Sequence, residues 1–162
     1  MTGKPLLFRA VDLPVPGKLH LHSMPGRREP FEQVLAAVAK CRIARIVCLA
    51  PMDEVQELSP AYFRAIEQGP PWIQEYYPIT DRGIPGKLPS YIALARRIGE
   101  SLRGGENVLV HCAAGIGRTG TFAMAVALDL GLMPETARNA VQAAGSWPET
   151  SAQEGLISAL GR

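Results

Sequence analysis

Two short runs, "ARIVCLA" over 44–50 and "NVLV" over 107–110, are apolar on nearly every residue rather than on every second one. A strand with one wet face alternates apolar and polar side chains, so runs of this kind are strands buried on both faces. Between and around them lie stretches with helical spacing of apolar residues: "FEQVLAAVAK", "AYFRAIEQ", "SYIALARRIGESLR", "TFAMAVALDLGL" and "ETARNAVQAA". Buried strands that alternate with helices predict an α/β domain with a mainly parallel central sheet flanked by helices on both faces.

Punctuation marks out the elements. The first 30 residues, with "LPVPGK" and "MPGRREP", read as mostly loop around a short strand near Leu19 to Leu21. Ser59 and Pro60 fit an N-cap and first helical residue, Gly69 and two prolines stop that helix, and "WIQEYYPI" is the next strand. Pro89 opens a helix that Gly104 and Gly105 close; Pro134 opens another with Gly145 behind it; Ser151 and Glu154 form a capping-box pattern for the last. No internal repeat or low-complexity tract interrupts the 162 residues, whose length suits one domain over 1–162. A net charge of +2 gives no footing for nucleic acid or a membrane surface, and no apolar stretch reaches a signal h-region or a spanning helix. Cys41, Cys48 and Cys112 are an odd set without metal-like spacing, which fits a reducing, cytoplasmic setting. Nothing in the sequence fixes an oligomeric state.

The strand "NVLV" runs directly into "HCAAGIGRTG", His111 to Gly120, and then into a helix. A glycine-rich turn of this kind aims successive backbone N–H groups at one point, at the positive end of a helix dipole, and so holds an oxyanion. Gly115 and Gly117 are expected to permit the unusual backbone angles, and Gly120 close packing of the first helical turn. Arg118 supplies a planar fork matched to two phosphate oxygens. Cys112, at the mouth of the strand, is then a negative charge in a field built for negative charge, expected to be ionised at neutral pH and placed to attack phosphorus.

The stretch resembles the His-Cys-x5-Arg-Ser/Thr signature of the protein tyrosine phosphatase superfamily, with His111, Cys112, Gly115, Arg118, Thr119 and Gly120 all matching. "YYPITDRGIPG" is similar to the acid loop of small dual-specificity phosphatases, with Asp81 in the general acid's place; Asp53 and Asp129 are weaker rivals. From His20 to Leu160 the chain is most similar to the kinase-associated phosphatase group. That resemblance implies an enzyme with no cofactor and no metal, acting on a phosphorylated protein. It implies that Ala113, Ala114, Gly115, Ile116, Gly117 and Arg118 bind the phosphoryl oxygens, that Cys112 forms a phosphocysteine, and that Asp81 serves as acid and then base. It also implies that Thr119 stabilises the leaving sulfur, that His111 orders the loop, and that Gln153 positions the hydrolytic water. Glu149 stands where relatives often carry glutamine.

The uncharged loop positions argue against highly anionic inositol phosphates, for which relatives place lysines there, and for a domain this small the resemblance implies a shallow cleft. Phosphotyrosine is the first expectation, with phosphoserine or phosphothreonine beside it. An inositol-phosphate or other small-molecule phosphatase, a non-catalytic phosphate-binding module, and sulfur transfer of the rhodanese kind remain the alternatives. Cys48 matches a second thiol that in some relatives bridges the catalytic one, although a buried filler is the simpler reading. Cys41 has no evident role, and Arg27 and Arg28 either border the site or lie on a solvated loop. An ionised sulfur acting with a protonated carboxyl predicts a bell-shaped profile of kcat/KM against pH peaking on the acid side of neutrality, and Asp81→Ala is expected to lose its basic limb.

Overall fold

Buried apolar strands determine where everything else sits. The computed structural model describes residues 7–161, with strands β1 (Arg9–Val11), β2 (Leu19–His22), β3 (Ile43–Cys48), β4 (Ile73–Tyr76) and β5 (Asn107–His111) in one five-stranded sheet. Their order is β1-β2-β5-β3-β4; β1 runs antiparallel to β2, and every other pairing is parallel. The helices are α1 (Phe31–Lys40), α2 (Met52–Leu58), α3 (Pro60–Gln68), α4 (Leu88–Arg103), α5 (Gly117–Asp129), α6 (Pro134–Ala143) and α7 (Ser151–Leu160).

The two faces of the sheet are covered by separate cores. Val108, Val110 and Cys112 point into a core built with α4, α5 and α7, whereas Leu109, Ile46 and Cys48 point into one built with Val34 and Val38 of α1 and Tyr62 of α3. This alternation along strands that are apolar throughout is what a sheet covered on both sides requires. Helix α5 is buried from Gly117 to Ala127, because α4, α6 and α7 all pack on it. Its Phe122 ring meets Tyr91 edge-on at 5.5 Å.

Several sequence expectations are corrected. The N-terminal stretch is mostly loop among its described residues, as expected, but Arg9–Val11 adds an antiparallel edge strand that the sequence did not show; residues 1–6 lie outside the described residues. Helix α2 was not expected: at 7 residues, with no side-chain cap, it carries too little periodicity to read. The helix expected from Thr121 starts four residues earlier at Gly117, so the second half of the signature is itself the first helical turn. The last helix is capped by Thr150 and Gln153 in a reciprocal box, not by Ser151 and Glu154.

Because β2, β3, β4 and β5 are parallel, the loops that follow them gather at one edge of the sheet. Those are the segments 23–30, 49–51, 77–87 and 112–116. Phe122→Ala is expected to destabilise the protein by about 3–5 kcal/mol in urea unfolding, since the ring is fully buried beneath that edge.

Candidate active site

In a trans peptide the C=O of one residue and the N–H of the next point in opposite directions, so a carbonyl held outward aims an amide inward. This applies to five peptides of the turn after β5. The Cys112 carbonyl accepts from His111 Nδ1 at 3.0 Å, and the Ala113 carbonyl accepts from the Met24 N–H at 3.0 Å. The Gly115 carbonyl accepts from Arg9 Nη2 at 2.8 Å and Ser146 Oγ at 2.6 Å. The Ile116 carbonyl accepts from the Gly120 N–H at 2.7 Å, and the Gly117 carbonyl from Thr121 Oγ1 at 2.7 Å. The amides of Ala113, Ala114, Ile116, Gly117 and Arg118 therefore turn toward the inside of the loop, at the N-terminus of α5.

Gly115 has φ +78° and lies so close to the His22 carbonyl that a Cβ would strike backbone, so glycine is needed there on both counts. Gly117 has no positive φ, contrary to expectation; its missing side chain leaves space that the Glu149 carboxylate occupies. At Gly120 a Cβ would run into the backbone of Trp147, the close packing the sequence implied.

Cys112 sits beneath this ring of amides, 3 % exposed, with Thr119 Oγ1 donating to its sulfur at 3.1 Å. His111 is fully buried. Since the Cys112 carbonyl can only accept, Nδ1 carries the proton, and Nε2 is left to accept from the Tyr62 hydroxyl at 2.7 Å. The Tyr62 oxygen accepts in turn from Gln74 Nε2 at 3.1 Å. Burial, together with the charges of His22 and Arg118, outweighs the carbonyl bond and pushes His111 down to about 4, so it is a neutral strut rather than a proton carrier.

Arg118, nearly inaccessible, reaches across to the neighbouring loops. Its Nη1 donates to the Ile79 carbonyl at 2.8 Å, and both terminal nitrogens engage Glu54, at 2.7 and 3.2 Å. Nη2 also meets Asp81 Oδ1 at 3.3 Å. Burial disfavours its charge, yet the Glu54 bonds and the charges of Cys112, Glu54 and Asp81 win, holding Arg118 above its ordinary value. Asp81 itself is 72 % exposed at the lip. Glu54 was missed by sequence reasoning; the available signal was an acidic pair just beyond the buried strand "RIVCLA", at the edge where the loops gather.

Gln153 is fully buried and committed to backbone. Its Oε1 accepts from the N–H groups of Glu149 and Thr150 at 2.7 and 3.3 Å, and its Nε2 donates to the Gly83 carbonyl at 3.2 Å. It acts as a cap for α7 and a strut under the acid loop, and it is Glu149 whose carboxylate lies against the phosphate loop at Gly117. Among the rivals, Asp53 caps its own neighbour Glu54, and Asp129 pairs with Arg96 at the far end of α5, about 18 Å along the helix from Gly117. Arg27 and Arg28 are exposed on the loop that Met24 ties to Ala113. Cys48 is fully buried, and burial pushes its thiol up to about 12, as suits a protonated filler.

A thiol under convergent amides, a forked arginine in the first turn of the following helix, and a carboxyl on a nearby loop define a cysteine phosphatase fold. A family model described as PTP-SAK, Swiss Army Knife protein, DSP-PTPase phosphatase domain, matches residues 8–157, and the chain belongs to that family. No curated protein matches the sequence. Among solved structures, kinase associated phosphatase (KAP), with a serine substituted for its catalytic site cysteine, superposes with a TM-score of 0.81 at 19 % identity, covering 96 % of this chain and 94 % of that one. Tk-PTP in the active form gives 0.68 at 24 %, covering 96 % of each chain. The human tyrosine phosphatase-like serine/threonine/tyrosine-interacting protein gives 0.69 at 21 %, covering 93 % of each. At such identities the likeness is one of fold.

Holding His111 neutral has a cost in acid. Its folded-state value near 4 lies below the ordinary 6.5, so the unfolded chain binds the extra proton between those limits. Stability is expected to be full above about 6.5 and to fall, by up to about 1.4 kcal/mol per pH unit from this group, as pH drops toward 4. His20 and His22, both lowered by burial, add to the slope. Urea titrations across this range check it: the slope shrinks by one proton in His111→Gln relative to wild type.

Proposed function

We propose that the protein is a single-domain, cysteine-dependent phosphatase that hydrolyses phosphate monoesters on proteins, phosphotyrosine foremost, through a phosphocysteine. The observation that carries this reading is Cys112 Sγ, held by the Thr119 hydroxyl at 3.1 Å beneath the amides of the loop, with Arg118 beside it. A phosphate-binding module has no use for a nucleophile at the centre of its anion site.

In the first step the Cys112 thiolate forms a bond to phosphorus as the bond to the leaving oxygen breaks, and Asp81 gives that oxygen a proton. In the second, a water attacks phosphorus and yields a proton to the Asp81 carboxylate. The sulfur–phosphorus bond breaks, and Thr119 donates to the departing thiolate. The loop amides and the Arg118 fork bind the equatorial oxygens, where charge spreads during both transfers. Glu149 lies against the loop at Gly117. The cysteines among the described residues, Cys41, Cys48 and Cys112, are all unpaired, which fits action in the reducing cytoplasm. No helix of the described residues is long and apolar enough to cross a membrane.

A panel of phosphotyrosine and phosphoserine peptides, p-nitrophenyl phosphate, an inositol phosphate and thiosulfate, compared by kcat/KM, tests the reading. Phosphotyrosine is expected to lead; preference for the inositol phosphate or thiosulfate would replace the substrate class or the reaction. Cys112→Ser is expected to bind phosphotyrosine peptide without turnover. Asp81→Asn is expected to lose about 10²- to 10⁴-fold in kcat on peptides, and an unchanged kcat there would move the acid elsewhere.

A further inference from the structure

Behind the phosphate loop, on the side away from substrate, the half-buried Arg9 guanidinium is the hub of a polar cluster with no part in the scheme above. Arg9 is on β1, far in sequence from everything it touches. Its Nη1 donates to the Ala144 carbonyl at 2.6 Å and to Ser146 Oγ at 3.0 Å, and its Nη2 donates to the Gly115 carbonyl at 2.8 Å. Ser146, fully buried, spends its one proton on the same Gly115 carbonyl, at 2.6 Å, while accepting from Arg9.

This carbonyl belongs to the peptide that Gly115, at φ +78°, turns out of regular structure, so no helix or strand partner is available to it. With both lone pairs taken from outside, the N–H on its other side, that of Ile116, is fixed toward the anion.

We propose that Arg9, with Ser146, is a positioning residue of the phosphatase reaction: it locks the Gly115–Ile116 peptide with its amide toward the phosphoryl group. This rests on the function proposed above. A purely structural staple between β1 and the segment after α6 is the competing account.

Three variants test it: Arg9→Met removes the fork and its charge, Arg9→Lys removes the fork alone, and Ser146→Ala removes one donor to Gly115. Tungstate affinity by calorimetry is independent of turnover, and kcat and KM on p-nitrophenyl phosphate are read beside it. Arg9→Met is expected to weaken tungstate about tenfold or more and to lower kcat about 10- to 100-fold. Arg9→Lys is expected not to restore the affinity, and Ser146→Ala to weaken tungstate as well. A folded Arg9→Met protein with wild-type tungstate affinity would reduce Arg9 to a staple. Should that variant not fold, wild-type tungstate affinity in both Arg9→Lys and Ser146→Ala would overturn the proposal. Absence of turnover in the wild-type protein would sink the phosphatase reading while leaving tungstate affinity to judge Arg9.

Discussion

The peptide planes between Cys112 and Arg118 are the constraint on which the site depends. A loop that left its carbonyls free to turn inward would repel an oxyanion; here each of five is drawn outward by a hydrogen-bond partner. Met24 lies just past β2, His111 ends β5, Arg9 is on β1, Ser146 lies behind α6, and Gly120 and Thr121 are in α5. The sheet, the central helix and the C-terminal helical layer thus converge on seven residues of backbone. Glycine at 115 and 120 is the steric condition for that convergence, since a side chain at either would push the loop off β2 or the helix off Trp147.

Charge is organised around the same loop. Arg118 is shared by Glu54 and Asp81. Unit charges about 4 Å apart near a protein surface attract by about 4 kcal/mol, so a carboxylate pair can hold the guanidinium, but a doubly charged phosphoryl group that also gathers the loop amides holds it better. Glu54 then keeps the fork oriented. In the proposed reaction Asp81, exposed and bound at the longer distance of 3.3 Å, is the carboxyl that lets go and turns to the leaving oxygen.

Much of this was legible in the sequence because it is local. The doubly buried strands, the turn from "NVLV" into "HCAAGIGRTG", and the carboxyl of "TDRGIPG" all show within a few residues, and the parallel sheet brings their loops together. The supports of the site were hidden for the opposite reason. Arg9 acts on Gly115 and Glu54 on Arg118 across gaps that no periodicity spans, and each lies in an element too short to stand out: a three-residue strand and a seven-residue helix. Gln153 was read by resemblance as a residue facing water, whereas its position three residues after Thr150 spends it on a cap. Glu149, noticed only as a departure, is the side chain that reaches the phosphate loop.

Convergent main-chain amides are the claim from which nucleophile, fork and chemistry all follow. Titrating ¹⁵N-labelled protein with tungstate, observed by amide NMR, tests it most directly. The resonances of Ala113, Ala114, Ile116, Gly117 and Arg118 are predicted to move downfield together and to saturate at one stoichiometric equivalent. Saturating tungstate that leaves those amides in place while shifting others elsewhere on the surface would contradict it.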